Sequence, residues 1–406
     1  LVFRPSSFVK KEQIAMPESH TNHELSRAHD ALAALGCDAA LLSSLANVTY
    51  VSGYEVPIPI GAGAEFAYGV PLALCGRAAP KGCLIVPDGG AAAAGEQSRL
   101  GELLAFDTFD GFSSKDSQAS FVAQIGEALR QAGLGLAPAV LGVEFRTLPH
   151  VVGALLRTEF RNITLVDAGP ALQQARMIKT EREIELLRRA VRIGDIGHQA
   201  LAELVREPGR DEFAIWAELT SRMYRAAGHE IPIVGELVTG PRTCVVNYPG
   251  GPRARITKPG DAALMDISQR LDGYWSDCTN THIVGGVDPT AEQVRYARAS
   301  QAACEAAMDA LRPGNRASDA WNAAEAAFQR HGLTSAHYAG HQIGVVVNEP
   351  PRLVAYDHTP IESGMVFAVE PGVYEGPGGT FGARSEKMVL VTERGPEILS
   401  QFEWGI

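Results

Sequence analysis

The sequence predicts an α/β domain over about residues 17–172 followed by an α+β domain over residues 173–406. Three observations carry this. Short apolar runs alternate with helical stretches through the first part, which is the pattern of an α/β layer structure. Thr180 with Glu183 forms a capping-box signal that opens a long amphipathic helix and marks the start of the second part. Residues 262–284, AALMDISQRLDGYWSDCTNTHIV, read as two strands joined around an Asp-Gly pair, a strong hairpin signal.

The chain has 406 residues, enough for two or three domains and a sizeable core. Hydrophobic residues make up 46% and charged residues 20%, so the composition is that of a folded globular protein. A net charge of -11 and a pI near 5.5 argue against nucleic acid and anionic membrane surfaces as partners. They favour a small, neutral or cationic partner. The six cysteines are scattered, with no C-x-x-C pair, which fits a reduced cytoplasmic protein with buried thiols. No run of 18 apolar residues occurs, so no membrane span is expected. Because the chain starts at Leu1 and Met16 offers a more natural beginning, residues 1–16 are expected to be vector-derived or upstream sequence.

In the first part, a helical pattern over 24–36 ends at Gly36 and leads into the strand-like DAALLSS. PLALCGR, GCLIVPD, VLGVEF and ITLVDAG read as further strands, with helices near 118–133 and 148–158. Nothing here looks catalytic. GAGAEF and GLGLAP complete neither a dinucleotide fingerprint nor a phosphate loop and read as turns. The Pro- and Gly-rich loop 54–66 is either a buried connection or a lid over a site elsewhere.

In the second part, Ile184, Leu187, Val191, Gly194, His198, Leu201 and Val205 form one stripe of the long helix, where His198 reads as a core residue rather than a ligand. A helix over 211–227, the strand-like VGELVTGPRTCVVNYPGG, the hairpin, and helices near 291–311 and 317–331 follow. On the hairpin, Asp266 and Asp277 share one face. They are directly opposed if the turn centres on Leu271 and Asp272, and diagonal if it centres on Asp272 and Gly273. Opposed like charges destabilise a bare sheet, so the pair either lies solvated on an exposed face or receives a cation. The final part adds His341 in AGHQIG, Glu370 at the end of MVFAVE and Glu386 in GARSEKMVLV. Singly these read as a loop histidine, a strand-end acid and a surface ion pair with Arg384 or Lys387. Together with the hairpin they make four carboxylates and one imidazole.

Five segments in order, RMIKTEREIELLRRA, MDISQRLDGYWSDCTNT, GHQIG, VEPGVY and RSEKMVLVTERG, resemble the pita-bread metallohydrolases. That family includes Xaa-Pro dipeptidase (prolidase), aminopeptidase P, methionine aminopeptidase and the metal-free creatinase. The resemblance implies a creatinase/prolidase-type N-terminal domain and a pita-bread catalytic domain. It also implies a ligand set of Asp266, Asp277, His341, Glu370 and Glu386 around two divalent metal ions. Asp277 and Glu386 would bridge the ions, Asp266 would chelate one, and His341 with Glu370 would hold the other. Glu370 would also shuttle the proton. An oxygen-rich set with one imidazole suits manganese first, with iron, cobalt or zinc as alternatives.

The chain departs from that family at three places. Asn247 and Asn348 stand where the Xaa-Pro peptidases carry histidines, and Asn280 stands where they carry an arginine. Asparagine donates hydrogen bonds but does not carry a proton near neutral pH. The expected activity is therefore dinuclear hydrolysis of a C–N bond in a small substrate or short peptide. The alternatives are a non-peptide amide hydrolase or a lyase on a small polar metabolite, and then a non-catalytic binding protein. Arg384 is expected to orient Glu386 or to grip a substrate carboxylate. Tyr274 and Glu349 are weaker candidates around the metals, and Cys278 is expected to pack. Relatives with this layout dimerise, so a homodimer is expected, with the 54–66 loop closing the pocket of the partner. Deleting residues 57–63 is then expected to weaken substrate affinity while sparing metal content.

Overall fold

The computed structural model describes residues 22–61, 65–246 and 250–406. Residues 1–16, residues 62–64 of the proposed lid and Asn247 lie outside this set.

The first unit is built on β1 (Ala39–Leu42), β2 (Leu72–Gly76), β3 (Ala79–Pro87), β4 (Glu102–Phe106), β5 (Ala139–Val143) and β6 (Ile163–Asp167). They form one mixed sheet in the order β4-β3-β2-β1-β5-β6. The run AALL of β1 is buried at all four positions because the sheet is covered on both sides. Ala39 and Leu41 face the core made with helices Ser117–Gln131 and His150–Glu159. Ala40 and Leu42 face the helix His23–Ala34. This second core does not stop at the sheet: it continues into Leu186, Leu187 and Val191 of the long helix and into Tyr274, Trp275, Ile343 and Met388 of the second unit. The two units therefore share apolar packing. Val56, at the root of the 54–66 loop, is buried, and its carbonyl accepts from Arg270 Nη1 at 2.6 Å, whereas Ile60 is exposed.

The long helix runs Glu181–Leu204, with Thr180 and Glu183 completing the capping box. His198 is a core residue: its Nε2 lies 3.1 Å from the Cys278 carbonyl, and its ring stacks on Phe402 at 4.1 Å. Burial pushes its pKa down to about 3. Helix Glu212–Ala227 packs with the long helix into one core with β7 (Ile233–Thr239) and β8 (Ala262–Leu271), which with β9 (Tyr274–Ile283) form an antiparallel sheet in the order β7-β8-β9. Asp272 and Gly273 take φ of 51° and 86° between the paired Leu271 and Tyr274. This is the two-residue primed turn whose left-handed residues suit the twist of a hairpin.

Helices Ala291–Ala310 and Ala317–Arg330 pack against the remaining strands. These are β10 (Gly340–Gln342), β11 (Glu349–Arg352), β12 (Val366–Val369), β13 (Gly372–Tyr374), β14 (Gly382–Arg384), β15 (Lys387–Thr392) and β16 (Gly395–Ile398). Their sheet runs β11-β10-β12-β15-β16, with β13-β14 as a separate ladder. β9 joins the two halves: the Trp275 N–H donates to the Gly344 carbonyl at 2.9 Å, and the Glu386 N–H donates to the Thr279 carbonyl at 3.0 Å. Among the described residues no helix is long and apolar enough to cross a membrane.

Candidate metal centre

The turn geometry settles the relation of the two hairpin acids. Asp266 pairs with Thr279 and Asp277 with Ser268, so the acids are diagonal neighbours on one face. They are not solvated surface groups. Asp277 is buried, and Asp266 keeps only about a fifth of its side chain open. From the other half of the molecule, His341 on β10 pairs with Ala368 of β12, and Glu370 follows directly after that strand. Glu386 directly precedes β15, which pairs with β12 at Val369–Lys387, so the two glutamates leave adjacent strands at the same level. It is fully buried rather than a surface ion pair.

Two donor sets result. Atoms of Asp277, His341 and Glu386 all lie within 4.8 Å of one another, as do atoms of Asp266, Glu370 and Glu386. Glu386 is common to both. Glu370 falls in the set with Asp266 rather than with His341, although its Oε1 is 3.2 Å from His341 Nε2. His341 Nδ1–H donates to the Gln342 carbonyl at 2.8 Å, so Nε2 is the ring nitrogen that faces Glu370 and the other acids. Ser268 Oγ donates to Asp277 at 2.8 Å, and Thr279 Oγ1 donates to Glu386 Oε2 at 2.6 Å. Glu386 Oε1 is buried with no hydrogen-bond partner among the described residues.

The electrostatics follow from crowding. Burial first, then the charge of neighbouring carboxylates, pushes Asp266 and Glu386 well above the usual range. Burial also raises Asp277, against the opposing pull of His341. Burial works the same way on Glu370, but its hydrogen bond and attraction to His341 outweigh it and hold it below the usual range. Three buried acids and the nearly buried Asp266, with one unpartnered oxygen and one inward-facing imidazole nitrogen, fit a pair of divalent cations, which would remove this repulsion.

Arg384 is neither a surface residue nor a partner of Glu386. It is 3% exposed, and its donors go to Thr279 Oγ1 (3.1 Å), Tyr374 OH (2.8 Å), Glu236 Oε2 (2.7 Å) and Asp266 Oδ2 (2.7 Å). Its Nη2 bond to Asp266 places it behind that acid, with four of its five N–H donors engaged by protein groups. Asn348 is also committed, accepting from Arg352 Nε at 2.9 Å and donating to Tyr338 OH at 3.4 Å. Asn280 binds the C-terminal segment, donating to the Glu403 carbonyl at 2.8 Å and accepting from the Gly405 N–H at 3.2 Å. Tyr274 reaches Glu183 at 3.3 Å, and Glu349 meets Arg176 and Lys179, so neither touches a ligand side chain. Cys278 packs against Ser400.

Sequence reasoning missed Glu236, His337, Tyr374, Thr279 and Ser268. Glu236 carries no local signal, because its role comes from register pairing with Asp266. His337 does carry a sequence signal, its position four residues before His341, and its Nε2 lies 3.5 Å from Tyr374 OH. A cleft of about 1130 Å³ opens at the junction of the two units, but none of the five acid and imidazole groups lines it.

Comparison with known proteins agrees with this geometry. The family model for metallopeptidase family M24 matches residues 185–393, and that for the creatinase/prolidase N-terminal domain matches residues 25–178. A Mycobacterium tuberculosis protein named "Probable dipeptidase PepE" is 34% identical over 231 residues, 56% of this chain and 60% of that one. The Xaa-Pro dipeptidase of Pyrococcus furiosus is 30% identical over 235 residues, 57% of this chain and 65% of that one. The matched stretch thus spans less than two thirds of either relative. The prolidase structure from Pyrococcus horikoshii OT3 superposes with a TM-score of 0.76 over 94% of this chain and 99% of that one, at 23% identity, a likeness of fold. With the ligand-bearing strands, the matched segments and the superposition in agreement, the chain belongs to metallopeptidase family M24, with a creatinase/prolidase N-terminal domain ahead of a pita-bread catalytic domain.

Proposed function

We propose that this protein is a dinuclear metal-dependent hydrolase that cleaves a C–N bond in a small substrate, with Xaa-Pro dipeptides as the first class to consider. The carrying observation is the convergence of Asp266, Asp277, His341, Glu370 and Glu386 into two overlapping donor sets. These five residues would hold the ions, with Glu386 common to both, and manganese is the first expectation among iron, cobalt and zinc. Such a pair, when bound, polarises a carbonyl oxygen and lowers the pKa of water.

The chain's own residues do the rest. Glu370, favoured as a carboxylate by His341, is the group suited to take a proton and deliver it to the leaving amine. Arg384 fixes Asp266. Asn348 and Asn247 carry no proton at neutral pH, so proton transfer falls on Glu370 alone unless His337 contributes. That shortage supports a second reading within the same centre, a non-peptide amide hydrolase or a lyase on a small polar metabolite. A non-catalytic binding role is disfavoured, since it gives no reason to keep four repelling acids in a largely enclosed site. The acidic net charge supports a small neutral or cationic substrate, not nucleic acid or a membrane. A cytoplasmic homodimer remains the expected setting.

The test is elemental analysis of the purified protein, followed by hydrolysis of an Xaa-Pro dipeptide panel after manganese loading, with Asp277→Ala as control. About two ions per chain and turnover lost in the control support the peptidase. Two ions without turnover move the search to non-peptide amides and lyase substrates, and absence of bound metal overturns the proposal.

A further inference from the structure

The strand ladder places a fifth carboxylate beside the four ligands. Glu236 on β7 is the register partner of Asp266 on β8 and is 2% exposed. One guanidinium nitrogen, Arg384 Nη2, donates to both, at 2.7 Å to Glu236 Oε2 and 2.7 Å to Asp266 Oδ2. Glu236 Oε1 is enclosed and has no hydrogen-bond partner among the described residues. A buried carboxylate with a single donor is an expensive feature unless its charge is needed. The need comes from Arg384. Four ligand carboxylates balance two divalent ions, and without Glu236 the guanidinium would stand against a dication with nothing to cancel it. Arg384 cannot turn away, because Thr279 and Tyr374 hold its other arms.

We propose that Glu236 is a positioning residue that cancels the Arg384 charge and shares its Nη2, leaving Asp266 free to act as an anionic metal donor. This rests on the dinuclear reading above. It explains why a buried acid sits on β7 just before the apolar Leu237 and Val238. In Glu236→Gln the side chain keeps its shape and still accepts from Arg384, but the cancelling charge is gone. The guanidinium then falls to Asp266 alone, and the ion that Asp266 holds is weakened.

The experiment is manganese titration of the full chain by calorimetry, for wild type, Glu236→Gln and the double variant Glu236→Gln/Arg384→Gln, with melting temperatures of the metal-free forms. For Glu236→Gln, one of the two ions is expected to bind roughly 10- to 100-fold more weakly, the usual effect of losing a partner behind a ligand. The other ion is expected to stay within about threefold on the same grounds. The melting temperature of the metal-free variant serves to show that it folds, with Arg384 still paired with Asp266. The double variant loses the uncancelled cation but also the fork that orients Asp266, so it should recover part of the lost affinity and bind between Glu236→Gln and wild type. Equal affinity in wild type and Glu236→Gln overturns the proposal, and so does a double variant that binds no better than the single one. A Glu236→Gln variant that weakens both ions equally overturns it too, in favour of a purely structural acid. Wild type that binds no manganese instead overturns the dinuclear reading on which the proposal stands.

Discussion

Glu349 offers a sharp test of how the two units are held together. On β11 it is paired in register with Gln342, next to the ligand His341. Its carboxylate faces two buried cations: Arg176 Nη2 at 3.2 Å and Lys179 Nζ at 3.5 Å. Lys179 also donates to Gln342 Oε1 at 2.6 Å. Arg176 reaches Asn47 of the first unit, and Asn47 donates to Glu144 at 2.6 Å. The chain of contacts therefore runs from the N-terminal sheet to the strand that carries His341. Replacing Glu349 with Gln leaves both cations buried without their shared partner. Breaking a buried pair from one side costs about 3–5 kcal/mol. At about 2 °C per kcal/mol, suited to a long chain, this lowers the melting temperature by roughly 6–10 °C. Lys179→Met leaves Arg176 and Glu349 matched, and its cost is the lost hydrogen bonding of about 1–3 kcal/mol. Burial already holds Lys179 below the ordinary lysine range, though Glu349 and Glu183 oppose this. In Glu349→Gln it can therefore shed its proton as pH rises, so the defect is larger at low pH than at high pH. Urea unfolding of the metal-free proteins at several pH values measures both the order and the trend. If Lys179→Met is as damaging as Glu349→Gln, or if Glu349→Gln unfolds like wild type, the charge-count reasoning fails.

Two further outcomes are expected. Burial raises the Glu183 carboxyl from 4.5 to about 7, against the Thr180 N–H that favours its charged form. A group raised in the folded state adds stability at low pH that is lost as pH rises from about 4.5 to about 7, here roughly 3 kcal/mol in all. Glu183→Gln should flatten that fall in a pH series of urea unfolding curves, and curves that keep the wild-type slope would refute the assignment. Arg384→Lys keeps the charge but cannot reach Thr279, Tyr374, Glu236 and Asp266 at once, so manganese affinity should drop roughly tenfold. Calorimetric titration checks this, and an unchanged affinity would show that the guanidinium fork is dispensable.

The sequence alone determined the features written in neighbouring residues. Thr180 and Glu183 announced the long helix because a capping box closes within one turn. The period-two alternation of a strand put Asp266 and Asp277 on one face whichever residues formed the turn. Matching segments added the family's ligand set as an expectation, and the five side chains do converge. What tertiary structure decided was every relation across separated strands. Leu271-Asp272-Gly273 offers two hairpin centres, and only the left-handed φ at Asp272 and Gly273 selected the diagonal pair. Glu386 read as a surface ion pair because Arg384 and Lys387 flank it in sequence, yet strand alternation sends Arg384 toward Asp266 and Lys387 onto the Phe402 ring, 3.4 Å away. Glu236 had no signal at all. A β7 residue meets Asp266 only through the β7–β8 register, and Glu349 was drawn from the metals to the domain junction by Arg176 and Lys179. The physical reason is range: caps and alternation are fixed by bonds a few residues apart, whereas the charge balance of a buried centre depends on which strands pair, and no single segment encodes that.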